Sequence, residues 1–148
     1  MDFEYLEKID KLKSRVLKYI IYKKRTEQEV RQKFISEDNE LLNEVIDYLK
    51  EAGYINDKDY IERAINEIIA LKNLSIYEIR YKLLSKGINR DIIDEYFNEN
   101  EETLKEFERK SAQNIIEKKR KTMEIEDIKN YLLRKNYSYD SIKQLQSL

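Results

Sequence analysis

The sequence repeats itself at a fixed offset. Ser75-Ile76-Tyr77-Glu78-Ile79-Arg80-Tyr81-Lys82-Leu83-Leu84 is similar to Glu124-Ile125-Glu126-Asp127-Ile128-Lys129-Asn130-Tyr131-Leu132-Leu133, 49 positions later. The same step backward sets Ser75 over Thr26, Ile79 over Val30 and Leu83 over Phe34, and Lys86-Gly87-Ile88 lies over Lys135-Asn136-Tyr137. Upstream, Leu12, Val16 and Ile20 lie over Ile61, Ile65 and Ile69, whereas the third copy needs a shift of two to set Ala112, Ile115 and Ile116 over Ile65, Ile68 and Ile69. A unit of three short helices has little interior of its own, so stacking on neighbours is expected to supply continuous burial.

Within each copy the apolar positions recur three and four apart, which is what one buried helix face requires. Chance similarity between helical sequences would share that spacing, but it would not share the order of helices and breaks. The first copy predicts helices from about Phe3 to Lys24, Thr26 to Phe34 and Asn39 to Glu51. Thr26 with Glu29, and Ser75 with Glu78, have the spacing of a capping box, in which hydroxyl and carboxylate satisfy amides left over at a helix start. The only two glycines, Gly53 and Gly87, follow helical runs and suit a left-handed position, with Asn136 standing where Gly87 does. There is no proline to break the long runs. The expected fold is all-α, a tandem array of three three-helix repeats over residues 1–56, 57–103 and 104–148, with Val30, Ile79 and Ile128 in the core. A continuous heptad coiled coil is disfavoured by the turns near Arg25, Gly53, Asn73, Gly87 and Asn136.

Cysteine and histidine are both absent. Their absence removes disulfides, thiolate nucleophiles, ordinary structural zinc sites and histidine acid–base chemistry. No phosphate-binding glycine loop, nucleophile elbow or calcium loop is present. Asp91, Asp94, Glu95, Glu101 and Glu102 read as solvated charge rather than as a pair of carboxylates held across a pocket. No catalytic residue, cofactor or metal is expected. No run of about 18 apolar residues occurs, and the N-terminus lacks the pattern of a signal peptide, so a cytoplasmic, non-membrane protein is expected.

The chain carries 29 basic and 30 acidic residues, but they are segregated. Lys8 to Lys33 holds ten basic and three acidic residues, Arg109 to Lys135 nine and four, and Ile88 to Glu108 two and eight. Lys11, Arg15 and Lys18 flank the first helix's apolar stripe, and Lys23, Lys24 and Arg25 extend the positive end. Lys118, Lys119, Arg120 and Lys121 form a second knot, with Arg134 and Lys135 nearby. These twelve residues are the candidate partner-binding positions. The clusters suit phosphates, an acidic protein surface or plain solvation of helix faces, and composition alone does not choose among them. Most of the 12 tyrosines have helix-face spacing, while Tyr137 and Tyr139 beside Arg134 and Lys135 suggest a recognition edge.

Gly53-Tyr54-Ile55-Asn56-Asp57-Lys58-Asp59-Tyr60 resembles the pattern joining the first two repeats of RecX regulatory proteins. Ser75-x-x-Glu78-Ile79-x-x-Lys82-Leu83-x-x-Lys86-Gly87-Ile88 and Arg25-Thr26-x-x-Glu29-Val30-x-x-Lys33-Phe34 are similar to the same family, and the likeness runs from about Lys11 onward. The resemblance implies an elongated, curved array that binds the RecA recombinase, commonly in the groove of its DNA filament, and limits its ATPase and strand exchange. By the same resemblance the basic first and third repeats would engage an acidic RecA surface or the DNA phosphates exposed in that groove. A monomer is expected. Two features depart from the family. Ile69-Ala70-Leu71-Lys72-Asn73-Leu74 replaces a basic, glycine-containing stretch, and the overall charge is nearly neutral. The chain begins close to its first repeat, so any N-terminal extension of the relatives is expected to be absent.

Overall fold

Helix starts are fixed by side chains. Asp2 accepts from the Glu4 N–H at 3.0 Å and opens α1, Phe3–Tyr22. At Thr26 and Ser75 both halves of a capping box are formed, opening α2, Glu27–Lys33, and α5, Ile76–Ser85. Asp38, Asn56 and Asn89 open α3 (Asn39–Glu51), α4 (Asp57–Leu71) and α6 (Arg90–Glu99), each side chain accepting one first-turn amide. The series continues with α7 (Glu101–Lys119), α8 (Ile125–Arg134) and the short α9 (Tyr139–Ile142), followed by a 3-10 turn, Lys143–Ser147. Glu124, the counterpart of Thr26 and Ser75, starts α8 without a side-chain cap. The structure, a computed structural model, describes residues 2–147, with side chains described through residue 145. Met1 and Leu148, the outer bounds of the expected first and third repeats, lie outside the described residues.

Gly53 (φ +84°), Gly87 (φ +78°) and Asn136 (φ +62°) are the described residues with left-handed backbone, as their positions after helices predict. At Gly87 a second constraint acts. A Cβ there would overlap Cβ and Cγ of Gln28 on α2, whereas one at Gly53 would meet nothing. Hydrogen at Cα is therefore needed at Gly87 for packing as well as for backbone conformation.

The buried apolar residues form three clusters. Leu12, Val16 and Ile20 of α1 meet Val30, Phe34 and the inner face of α3. Ile61, Ile65 and Ile68 meet Ile79, Leu83, Ile88 and Ile93. Ala112 and Ile116 meet Ile128, Leu132, Tyr137 and Ile142. In each case the long helix packs along the third helix that follows it: α1 on α3, α4 on α6, α7 on α9. Leu104 and Phe107, in the first half of α7, pack with the second cluster, so this helix spans the second and third interiors. One expected alignment fails. Ile69, set over Ile20 by the spacing, is 39% exposed, and its neighbour Ile68 is buried instead.

Long-range hydrogen bonds tie these groups together. Thr26 Oγ1 donates to the backbone carbonyl of Lys86 at 2.8 Å, and Ser75 Oγ donates to that of Lys135 at 2.6 Å. Asp57 accepts the first amide of α2, from Glu27, and Glu108 accepts the first amide of α5, from Ile76. By these bonds Asp57 corresponds to Glu108, 51 positions on, so the spacing slips by two in the sense opposite to that drawn from the apolar residues. The two alignments differ by about one helical turn, which apolar periodicity cannot distinguish.

Candidate interaction surfaces

Most of the candidate basic residues of α1 and of the turn after it are engaged within the fold. Lys11 pairs with Glu7 one turn away at 3.5 Å, and Arg15 pairs with Glu37 at 2.5 Å while lying over the Phe34 ring. Lys24 reaches across to Asp59 of α4 at 3.0 Å, and its ammonium holds the Asp59 carboxyl below its ordinary pKa. Arg25 stacks on Tyr19 with its charge 4.1 Å from the ring centre. Lys18 and Lys23 remain exposed, with no ion pair among the described residues. The positive end of the first group is therefore narrower than its charge count suggests.

The second group is arranged differently. Lys119, Lys135 and Arg134 approach one ring, that of Tyr131, at 4.2, 5.8 and 6.0 Å from its centre. Lys118, Arg120 and Lys121 are exposed beside them at the end of α7. Among the described residues, none of these six forms an ion pair with a carboxylate. The ring face attracts the nearest of them, Lys119, by on the order of 0.5–1 kcal/mol, while the like charges around it repel one another. Such a site gains most when an anion arrives from outside.

The acidic middle is partly paired within the fold. Arg80 pairs with Asp94, Lys58 with Glu95 at 3.1 Å and Lys105 with Glu101 at 2.9 Å. No three acidic residues among those described are placed to share a metal ion, and no helix among them is long and apolar enough to cross a membrane. Tyr139 is exposed, as a recognition edge would be, but Tyr137 is buried in the third cluster. It follows the left-handed Asn136 as the buried Ile88 follows Gly87, so it is a core residue. Burial and the nearby carboxylates of Glu78 and Glu108 push its hydroxyl pKa upward.

Glu108 carries no signal in the sequence beyond its place in an acidic stretch, yet it is 2% exposed. Its carboxylate accepts from the Ile76 N–H, the Ser138 N–H, and the hydroxyls of Ser138 and Ser141, at 2.6 to 3.0 Å. Burial raises its pKa, but these hydrogen bonds outweigh it and the net shift is downward. Glu108 is thus a structural anion holding the starts of α5 and α9 against α7.

No family model matches the sequence. A regulatory protein RecX from Clostridium botulinum (strain Alaska E43 / Type E3) is 32% identical over 146 residues, covering 93% of this chain and 68% of the relative. The chain belongs to the RecX family. Another RecX, from Staphylococcus carnosus, is 35% identical over 135 residues, covering 86% of this chain and 50% of that protein. The chain thus spans about two thirds of the clostridial relative's length and half of the staphylococcal one's. The crystal structure of RecX from Lactobacillus salivarius superposes with a TM-score of 0.80 over 96% of both chains at 24% identity, a likeness of fold. The helical architecture expected from the spacing is therefore that of RecX structures, and the relatives are named as regulatory proteins.

Proposed function

We propose that this RecX-family chain regulates the RecA recombinase by binding RecA or the RecA–DNA filament, lowering its ATPase and strand exchange without making or breaking a bond itself. In this reading the chain is a cytoplasmic monomer of three stacked repeats that spans adjacent RecA protomers. The observation that carries it is the convergence of Lys119, Arg134 and Lys135 on Tyr131, flanked by Lys118, Arg120 and Lys121, with no acid among the described residues paired to any of them. Lys18 and Lys23 supply a second, smaller basic point on the first repeat, and Lys11, Arg15, Lys24 and Arg25 support it from within the fold. An acidic protein surface or DNA phosphates lying in a filament groove would neutralise both points at once.

The same unpaired cluster favours a second reading, a helical scaffold that binds nucleic acid generally. That scaffold would bind DNA without RecA and lose affinity steeply with salt as counterions are released. Adding the purified chain to RecA filaments on single-stranded DNA and following ATP hydrolysis tests the regulatory reading. A dose-dependent fall in hydrolysis is expected, and an unchanged rate at saturating chain rejects it.

A further inference from the structure

A cleft of about 370 Å³ lies where the C-terminal ends of α1, α4 and α5 meet. Its floor is apolar, formed by Ala64, Ile68 and Leu83 with the half-buried ring of Tyr60 at one side. Four lysines stand around it: Lys23, Lys72, Lys82 and Lys86. Three of them, Lys23, Lys72 and Lys86, are the C-cap residues of the three helices. Glu67 is the single acid in the lining, and Lys86 also reaches Glu29 at 3.7 Å. Lys23, Lys72 and Lys82 have no ion pair among the described residues.

Lysines at helix C-termini balance the negative end of the helix dipole, and that role alone accounts for one lysine per helix. It does not account for an apolar hollow left open between them, nor for Lys82, a further cation on the same rim. The combination also selects a kind of ligand. The cleft offers positive charge and an apolar floor together. A phosphodiester meets the charge but has no use for the apolar floor. An acidic peptide meets both, since its carboxylates pair with the lysines and an apolar side chain fills the hollow.

We propose that this cleft is a docking site for an acidic peptide segment of a protein partner, one that presents an apolar side chain among Asp or Glu residues. Its position, between the first and second core clusters, is separate from the cations around Tyr131. The inference does not depend on the partner being RecA.

The test uses the whole chain and a short fluorescein-labelled peptide in which leucines alternate with Glu and Asp. Saturable anisotropy is expected, weakened roughly tenfold or more in K72E/K82E, because both lysines are exposed and outside any ion pair among the described residues, and left unchanged in K8E, an exposed lysine on α1 outside the proposed contact surfaces. Replacing the peptide's leucines by serine is expected to weaken it as well. The proposal is overturned by absence of saturable binding, by equal affinity in K72E/K82E with its fold intact by circular dichroism, or by equal affinity of the serine peptide. It is also overturned if oligothymidylate binds the chain and loses affinity in K72E/K82E, which would make the cleft a phosphate site. A double variant that loses thermal stability while the wild type binds no peptide would leave the lysines as dipole-balancing caps alone.

Discussion

Glu108 and Ser138 are joined twice: Glu108 Oε1 accepts the backbone N–H of Ser138 at 3.0 Å and its hydroxyl at 2.6 Å. With the bonds from Ile76 and Ser141, the carboxylate gathers three segments that are distant in sequence. Because its pKa is lowered in the folded state, the charged form contributes stability that is present above the ordinary value of 4.5 and is lost as pH falls below it. Glu108→Gln keeps the shape but removes the charge. It should cost roughly 2–3 kcal/mol near neutrality. Urea unfolding at a series of pH values should show wild type and variant converging as the solution is acidified. Parallel curves would contradict the assignment.

Thr26 and Ser75 each serve two helices at once, capping their own and bonding to a carbonyl 60 residues on. Each is fully buried. Thr26→Ala or Ser75→Ala should lower stability by about 1–2 kcal/mol, as a cap and a buried carbonyl's partner are lost together. The expected readout is a lower urea midpoint at unchanged slope. A midpoint within error of wild type would show that these bonds do not hold the helices together.

Much of this architecture is local and was legible in the sequence. The two capping boxes and the left-handed positions at Gly53, Gly87 and Asn136 depend on residues within a turn or two of each other, and all are found where spacing places them. What the sequence concealed depends on the third dimension. Ile68 and Ile69 are equally apolar, and only the direction of packing decides which is buried. Tyr137 has the same neighbours in sequence whether it is core or edge. Glu108 resembles the solvated acids around it until α9 folds over it. The candidate surfaces were legible as charge, but the engagement of Lys24 by Asp59 and of Arg15 by Glu37 was not.

The glycines separate two kinds of strain. Gly53→Ala should cost about 1 kcal/mol, since only the left-handed backbone is affected. Gly87→Ala should cost more, about 2 kcal/mol or above, because the new methyl also meets Gln28. Thermal melts of the two variants side by side test this. Equal losses would mean that α2 can move aside freely.

Ile79 lies at the centre of the second cluster with no exposure to solvent. Ile79→Asp places an unpaired carboxylate there and should destabilise the fold by about 3 kcal/mol or more. A melting temperature close to wild type would contradict the core assignment.

Charge reversal of the unpaired cluster should change binding far more than stability. Exposed cations contribute only about 0–1 kcal/mol to folding, and reversing K118E/R120E/K121E breaks no ion pair among the described residues. Lys24→Glu should do the opposite, since it sets two acids together at Asp59 and loosens α1 from α4. The most direct measurement is a fluorescence anisotropy titration of the labelled chain with single-stranded DNA alone, RecA alone and the assembled RecA–DNA filament, for wild type and for K118E/R120E/K121E. The account predicts binding strongest to the filament and weakened roughly tenfold or more by the reversal. Binding to bare DNA as tight as to the filament, or filament binding unaffected by the reversal, would contradict it.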